Sequence, residues 1–389
     1  MKKEIIYEKH ENMLPAWAKI DLRQLKTNVK MIHGKLVKGT KLGVVVKADA
    51  YGHGAEQVVQ ALKETGLISM LIVGKEKEAT QIQKTSGEIP ILILDRMEIP
   101  RIKQEKYQMY SAYDLDFLRE LSKKGEAEQY RYCVQIRIDV LGGGMGMKPL
   151  EFLMHQEEIF SLEGIEIKGI YTHLYSGYQS IPEKTKQELE QFGEMISQIP
   201  KERRKELVVH AENSPLMFEF PEYQFDMVRS GTAIYGLPFH KEKDYGLQPL
   251  LSVKSRISSI TEVEQDCLIS YKKTEIPEKS IGKSRKIARF LLGYWDCPFL
   301  MLQMGVCVHI NGKLYKIPEE PCMDQSCLEI SGEETIGVGD EVTLIGQQPG
   351  VTIRDILKRH NIDFIHSERL CLLSERLERI YLDENLEIL

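Results

Sequence analysis

The chain has 389 residues, of which 42% are hydrophobic and 28% are charged, as in an ordinary soluble globular protein. Its formal net charge of −6 leaves no basic surplus to neutralise phosphates, which argues against a nucleic-acid partner. No apolar run approaches the ~20 residues of a membrane-spanning helix, so no membrane partner is expected. The charged start lacks the apolar core of a signal peptide, and the seven cysteines lack metal-type spacing. We therefore expect reduced thiols, no metal and a cytoplasmic location.

Short apolar runs alternate with amphipathic segments through the first part of the chain. Strand-like runs fall at residues 42–46, 70–73, 91–94, 108–112, 132–138, 165–171, 207–209 and 226–228. Helical patterns lie between them, for example at residues 56–64, 116–124 and 183–198. Strands that alternate with helices predict a parallel sheet, and eight repeats over roughly 200 residues predict a (β/α)8 TIM-like barrel. We place this α/β domain at residues 24–245.

Beyond residue 245 the pattern changes. Strand-like runs at residues 252–257, 306–310 and 342–345 are separated by turn signals. One of these signals, Asn311-Gly312 between two apolar runs, predicts a hairpin. The sequence therefore predicts a mainly β domain at residues 246–389.

The segment from Val44 to Gly54 carries the most informative lysine of the chain. Lys47 follows a strand that we expect to be buried, because its apolar residues run continuously. Removal from water at a strand end favours the neutral, nucleophilic form of an amine. The alternative is a lysine that reaches out to water. The segment resembles the lysine motif of the alanine racemases, fold-type III enzymes that use pyridoxal 5′-phosphate. This resemblance implies a Schiff base on Lys47 and places Tyr51 beside the phosphate.

Two further segments resemble the cofactor site of that family. The one from Asp226 to Gly236 implies that Arg229 faces the pyridine nitrogen and that Gly231 and Thr232 donate backbone N–H groups to the phosphate. A surface arginine before a turn is the alternative for Arg229.

The segment at residues 210–214 resembles the one that supplies a phosphate-binding serine, here Ser214, beside Asn213. His173 matches the histidine that stacks on the cofactor ring, although a strand-end histidine is more often a structural hydrogen-bonding group. The family resemblance also implies that residues 1–23, which contain an opening strand at 16–22, pack with the C-terminal domain.

The second half of the implied site lies in the C-terminal domain. Tyr271 aligns with the family's second catalytic base, although Lys272 stands where a glycine usually follows. Tyr294 lies in a segment that resembles a family motif whose tyrosine helps to form the inner entryway of the active site. Met323 and Asp324 match the segment that meets the substrate. In the family these residues act on the neighbouring subunit's cofactor, so a homodimer is implied.

Departures from the family pattern cluster at the substrate side, and Gly144 is the main one. Gly144 stands where the family has an arginine that reaches the substrate carboxylate, a charged hydrogen bond worth roughly 1.5–3 kcal/mol. Arg137 lies where many members carry a carbamylated lysine, and it could supply the missing positive charge.

The leading prediction is an amino-acid racemase that uses pyridoxal phosphate. Lys47 and Tyr271 would be its two bases, and alanine or a related small amino acid such as serine its substrate. The alternatives are a racemase-fold enzyme with another amino-acid substrate, a fold-type III decarboxylase and a non-catalytic carrier of the cofactor. Arg229 argues against the decarboxylase, which typically places an acidic residue at the pyridine nitrogen, and the C-terminal domain argues against the carrier.

Overall fold

The computed structural model describes residues 13–95, 98–100, 104–174, 181–240, 243–264, 269, 284–303, 305–317, 321–332, 335–362 and 367–383. Two compact units make up the chain. The barrel unit comprises Lys26–Ala50 and Ala55–Ile234, and the β unit comprises Met1–Leu25, Tyr51–Gly54 and Tyr235–Leu389. Within the described ranges, no helix is both long and apolar enough to cross a membrane.

Eight parallel strands form the sheet of the barrel unit, in the order β8-β7-β6-β5-β4-β3-β2-β9. They are β2 (Lys41–Val45), β3 (Met70–Val73), β4 (Ile91–Ile93), β5 (Gln108–Ala112), β6 (Tyr132–Arg137), β7 (Ile165–Tyr171), β8 (Val208–His210) and β9 (Met227–Ser230). The two end strands also meet, because the Asp226 N–H donates to the Val209 carbonyl at 3.0 Å. The sheet is thus a nearly closed barrel, and all eight predicted strands are present. The predicted (β/α)8 fold is confirmed.

Helices separate most of the strands. The chain enters the barrel through Leu22–His33, and the helices that follow are Ala55–Glu64, Glu76–Ser86, Leu115–Glu128, Pro149–Ser161, Pro182–Ser197, Lys201–Arg204 and Leu216–Glu219. Local chemistry sets several starts. The Asp114 carboxylate accepts the Phe117 N–H at 2.8 Å as an N-cap, and two helices begin with proline, whose missing N–H costs nothing there. The three predicted helices begin within one residue of their expected starts.

Buried apolar side chains pack inside the barrel. An apolar cluster with side chains from β3, β4, β5, β7 and β9 lies there, namely Met70, Ile72, Leu92, Met109, Tyr171 and Met227. Polar side chains lie above them, toward the carboxyl ends of the strands, which is where barrels of this class carry their sites.

The β unit contains a second sheet, in the order β13-β12-β15-β10-β1-β16, with β11 paired to β10 and β14. Its strands are β1 (Ala16–Asp21), β10 (Leu251–Val263), β11 (Arg285–Phe290), β12 (Cys307–Ile310), β13 (Lys313–Lys316), β14 (Ser326–Glu329), β15 (Glu341–Ile345) and β16 (Glu378–Leu382), and its helices are Pro298–Met301 and Ile353–Arg359. The predicted mainly β domain is confirmed, and so is its hairpin.

The hairpin turns at Asn311 and Gly312, whose φ angles of 46° and 83° are those that the tight two-residue turn requires. Strand β1 lies between β10, to which it is antiparallel, and β16, to which it is parallel. Its Trp17 is fully buried against Ile380. The predicted packing of the opening strand with the C-terminal strands is therefore observed.

Candidate active site

Lys47 lies directly after β2, at the carboxyl end of the barrel. The preceding Leu42, Val44 and Val46 are buried, as their continuous apolar run predicted. The expected removal of the amine from water is not found, because the Lys47 side chain is exposed in this chain. Strand β2 ends at Val45, two residues before the lysine.

A left-handed helical turn, Lys47–Gly52, carries the lysine. Four consecutive residues from Ala48 to Tyr51 have φ angles of 52–53°, a conformation that costs roughly 1–2 kcal/mol per residue. Three contacts hold the turn. The Ala48 N–H donates to Glu78 Oε1 at 2.7 Å, the Ala50 N–H to the Val46 carbonyl at 3.0 Å, and the Ala55 N–H to Asp49 Oδ1 at 2.7 Å. Such stored strain is typical of functional sites.

A cluster of hydroxyl and backbone N–H groups lies where β8 and β9 end. The buried Ser214 Oγ accepts the backbone N–H of Gly231 at 3.0 Å and that of Ala233 at 3.3 Å. Two more buried hydroxyls, Ser230 Oγ and Thr232 Oγ1, have no hydrogen-bond partner among the described residues. Buried hydroxyls are normally satisfied, so this donor set fits an anionic group such as a phosphate.

Asn213 and Tyr51, two further predicted cofactor-binding residues, make contacts within the protein. Asn213 is buried, its amide donates to the Leu174 carbonyl at 3.0 Å, and its side-chain oxygen accepts the Leu216 N–H at 3.4 Å. These bonds fix the loop that presents Ser214. Tyr51 is also buried, and its ring lies 5.2 Å from that of Tyr235 within the β unit.

Arg229 is buried and is therefore not the surface arginine that the sequence left open. Its Nη2 donates to the carbonyls of Thr172 at 2.7 Å and Ala211 at 2.9 Å. Its Nη1 lies 2.7 Å from His210 Nδ1. The guanidinium is thus oriented from two strand ends, which is the arrangement that a fixed positive charge beneath a bound group requires.

His173 is half-buried at the end of β7. Burial lowers the pKa of its ring well below the ordinary value, and the positive charges of Arg229, Arg137 and Lys47 lower this pKa further. The ring is therefore neutral at pH 7. The same charges show that these three cations converge on one end of the barrel.

Arg137 is buried at the end of β6. Its Nη1 donates to the Tyr113 hydroxyl at 3.1 Å, and its guanidinium carbon lies 5.3 Å from the centre of that ring. Tyr113 in turn donates to the Leu94 carbonyl. Gly144 lies on the loop after β6, where its N–H donates to Asp139 Oδ2 at 2.6 Å. Added side-chain atoms at Gly144 would meet open space.

Three of the predicted residues of the β unit lie around one arginine. Arg376 donates to Asp296 Oδ1 at 2.8 Å, to Asp324 Oδ1 at 2.7 Å and to the Met323 carbonyl at 3.4 Å. Tyr294 joins them through its N–H, which donates to the Cys322 carbonyl at 3.1 Å. Tyr271, the predicted second base, lies outside the described residues.

Gly293 lies where the backbones of two segments of the β unit approach each other closely. A Cβ on Gly293 would lie 2.2 Å from the Met323 carbonyl oxygen. The residues from Gly293 to Asp296 and those from Cys322 to Gln325 therefore pack as two backbones in direct contact.

Sequence reasoning missed three buried or anchoring polar groups. Glu78 accepts three backbone N–H groups, including that of Ala48; its position in the first turn of a helix was a usable signal for such a role. Gln135 and Glu212 lie fully buried on barrel strands or their ends. Neither leaves a local signal, because their surroundings come from distant parts of the chain.

Comparison with known proteins gives matches over nearly the whole chain. The family model "Alanine racemase, N-terminal domain" matches residues 20–238, and "Alanine racemase, C-terminal domain" matches residues 250–381. Alanine racemase 2 of Caldanaerobacter subterraneus subsp. tengcongensis is 30% identical over 379 residues, which cover 96% of each chain.

Solved structures agree with this match. Alanine racemase from Clostridium difficile 630 has a TM-score of 0.85 at 28% identity and covers 97% of both chains. Alanine racemase from Bartonella henselae with covalently bound pyridoxal phosphate shares the fold, with a TM-score of 0.79 at 22% identity over 94% of this chain and 99% of that one.

Proposed function

This chain belongs to the alanine racemase family, and we propose that it interconverts the enantiomers of a small amino acid with pyridoxal 5′-phosphate as cofactor. Membership makes the chain a racemase and confirms the resemblance carried by the segments around Lys47 and Arg229. Alanine is the first candidate substrate and serine the second. The observation that carries the proposal is the convergence of Lys47, Arg229 and a hydroxyl cluster at one end of the barrel.

The cofactor would be held by groups of the barrel end. Lys47 supplies the amine for covalent attachment, and its exposure leaves it reachable. Ser214, Gly231 and Thr232 would hold the phosphate. Thr232 Oγ1, like the neighbouring Ser230 Oγ, has no partner among the described residues, and the Gly231 N–H, which donates to Ser214 Oγ at 3.0 Å, would turn to the phosphate. Tyr51 and Asn213 complete this end by the family's pattern, and His173 would stack on the ring.

Proton transfer at the substrate Cα is assigned to two bases. Bound pyridoxal phosphate supplies the electron-withdrawing ring that acidifies the Cα–H bond. Lys47 takes or returns the proton on one face, and Tyr271 does so on the other. A phenol ordinarily titrates near pH 10, so Tyr271 needs a positive neighbour. Arg229 is a donor that does not give up its proton, so it would leave the ring nitrogen of the bound cofactor unprotonated.

The substrate carboxylate needs a cation that the usual arginine position, Gly144, does not provide. We assign this role to Arg137, which is buried, fixed by Tyr113 and close enough to His173 for its charge to matter. The backbone N–H of Met323, with Tyr294 and Asp324 beside it, is the proposed second contact. Arg376 holds that segment in place.

A homodimer with shared sites completes the proposal. Lys47 lies in the barrel unit, whereas Met323 lies in the β unit, and the family's pattern pairs them across subunits. The domain division at residues 24–245 against 1–23 and 246–389 and a cytoplasmic location are part of the same proposal.

Isotope exchange tests the activity directly. Purified protein is incubated with a panel of L-amino acids in deuterated water, and Cα deuterium uptake is read by mass spectrometry together with loss of the carboxyl group. Uptake with alanine or serine is expected. Carboxyl loss would instead favour the decarboxylase. Borohydride reduction and peptide mapping should place the reduced cofactor on Lys47, and attachment to any other lysine would overturn that assignment.

A further inference from the structure

A chain of hydrogen bonds leads from Arg229 to Gln135 inside the barrel. Arg229 Nη1 lies 2.7 Å from His210 Nδ1, and His210 Nε2 lies 2.7 Å from Gln135 Oε1. Gln135 and His210 are fully buried. Gln135 lies on β6 and His210 on β8, the two strands that flank β7, so the chain of hydrogen bonds links side chains of neighbouring strands inside the barrel.

The chemistry of these groups allows one arrangement of hydrogens. A guanidinium only donates, so His210 Nδ1 must be an unprotonated acceptor. The ring is neutral, since burial and the charge of Arg229 hold its pKa well below the ordinary value. The proton of the ring is therefore on Nε2, which donates to Gln135 Oε1.

This arrangement also fixes the orientation of the Gln135 amide. If the amide were reversed, its NH2 group would face the His210 N–H, and two donors would oppose each other. With the oxygen toward His210, Gln135 Nε2 lies 3.7 Å from both Met70 Sδ and Met109 Sδ, which are weak acceptors. Gly169 packs closely against this amide, because a Cβ there would lie 2.5 Å from the Val208 carbonyl oxygen and 3.1 Å from Gln135 Cδ.

We propose that Gln135 is a positioning residue for the reaction, and that it acts through His210 on Arg229. This inference rests on the proposed function for its catalytic consequence only. Gln135 accepts the Nε2 proton without carrying a charge. A carboxylate at the same place would favour the doubly protonated imidazolium, whose Nδ1–H would oppose the guanidinium. The neutral amide thus keeps His210 an acceptor and Arg229 in place.

The stacking around His210 supports a fixed ring. The Tyr171 ring lies parallel to it at 5.1 Å with an interplanar angle of 3°. The guanidinium carbon of Arg229 lies 5.5 Å from the centre of that tyrosine ring. One face of the His210 ring is therefore stacked and both ring nitrogens are hydrogen-bonded, so we expect a change in its protonation to act on Arg229.

The test compares Gln135→Glu and Gln135→Leu with the control Met227→Leu, a nearly isosteric change in the same interior core. In the full-length protein labelled with ¹⁵N-histidine, NMR should show His210 neutral and protonated on Nε2 from about pH 5.5 to about 9, a range that spans the ordinary histidine pKa of ~6.5. Gln135→Glu should make His210 doubly protonated within that range. Gln135→Leu should shift the Nε2 signal, and Met227→Leu should change neither.

The kinetic readout separates positioning from packing. Gln135→Glu should lower kcat by roughly 10- to 100-fold, the scale of a small misplacement at a site, with little change in KM, because the substrate carboxylate is bound elsewhere. Unchanged His210 signals and kcat in Gln135→Glu would overturn the proposal, and so would equal losses in Met227→Leu and Gln135→Leu. The NMR readout needs no turnover. If the protein racemises no amino acid but His210 is still neutral, the proposed function is refuted. The hydrogen-bond assignment is then unaffected.

Discussion

The backbone N–H of Arg229 donates to the carbonyl of Glu212 at 3.0 Å, so a buried acid and a buried cation lie side by side at the ends of β8 and β9. The Glu212 side chain is fully buried. Neither of its carboxyl oxygens has a hydrogen-bond partner among the described residues. Burial raises its pKa to about 8, with a further increase from Glu222 and a partial decrease from Arg229.

Glu212 should therefore make stability depend on pH. Its pKa is raised by folding, so the acid is neutral in the folded chain and ionised in the unfolded chain between about pH 4.3 and pH 8. The stability cost grows over that window and is constant above it, at about 1.4 kcal/mol per pKa unit. Glu212→Gln should be more stable than wild type at pH 8, and the gain should shrink toward pH 4.5. Thermal unfolding across this range measures it. Glu206→Gln, at an exposed position whose charge does not contribute to the Glu212 pKa, is the control, and a gain that is independent of pH would contradict the assignment.

Glu78 should support the strained turn that carries Lys47. Its carboxylate accepts the N–H groups of Ala48, Gly74 and Lys75. Glu78→Gln removes the charge and at least one of these acceptors, at a cost of roughly 1.5–3 kcal/mol. We expect lower stability and weaker cofactor retention, measured by thermal unfolding and by absorbance after dialysis. Glu76→Gln is the matched control, because that residue bonds Tyr110 instead. Equal losses in both variants would assign the effect to the helix.

Mixed subunits should reveal the proposed shared site. Lys47→Ala and Tyr271→Phe each remove one base and should each be inactive. A dimer that contains one subunit of each kind has one site with both native bases, so mixing should restore part of the activity. Subunit exchange is monitored by tagging one partner. If exchange occurs and the mixture remains inactive, each site is built within a single chain.

Arg137 should determine carboxylate recognition. Arg137→Met should raise the KM for alanine by roughly 10- to 150-fold, the equivalent of one charged hydrogen bond, while Arg137→Lys should retain part of the affinity. The measurement is steady-state racemisation by circular dichroism. An unchanged KM in Arg137→Met would leave the backbone N–H of Met323 as the main contact.

Gly144→Arg tests the same point from the other side. Gly144 has a φ of 76°, so any side chain there carries backbone strain, and Gly144→Ala measures that strain without the guanidinium. If the pocket is otherwise like the family's, Gly144→Arg should have a lower alanine KM than Gly144→Ala. Should wild type already racemise alanine efficiently and Gly144→Arg impair it, Arg137 has taken over the role.

The barrel strands could be predicted because each is a short apolar run, such as residues 70–73, that parallel pairing buries on both faces. Lys47 could be located for the same reason, since it directly follows one of these runs. The structural surroundings of Lys47 could not be predicted. Nothing local indicates a left-handed turn through Ala48 and Ala50, because its stability depends on Glu78 in a later helix.

Buried polar contacts between distant strands were beyond sequence reasoning. His210 and Gln135 form a hydrogen bond although they are 75 positions apart in the chain. The residues next to each of them in the sequence are those of an ordinary strand. The family resemblance located Arg229 and Ser214, but not the groups that orient them. Glu212 was passed over because its position inside a recognised segment gives no sign that its carboxyl group would lack a partner.

The position of strand β1 sets an order of assembly on the ribosome. The strand emerges before its two neighbours in the sheet, which are β10, starting at Leu251, and β16, ending at Leu382. At translation rates of about 5–20 residues per second, it must wait on the order of tens of seconds for them. During that interval the whole barrel is synthesised, while Trp17 and both edges of the strand lack their final partners. Cotranslational folding of this chain must therefore keep its first strand from pairing with another nascent chain.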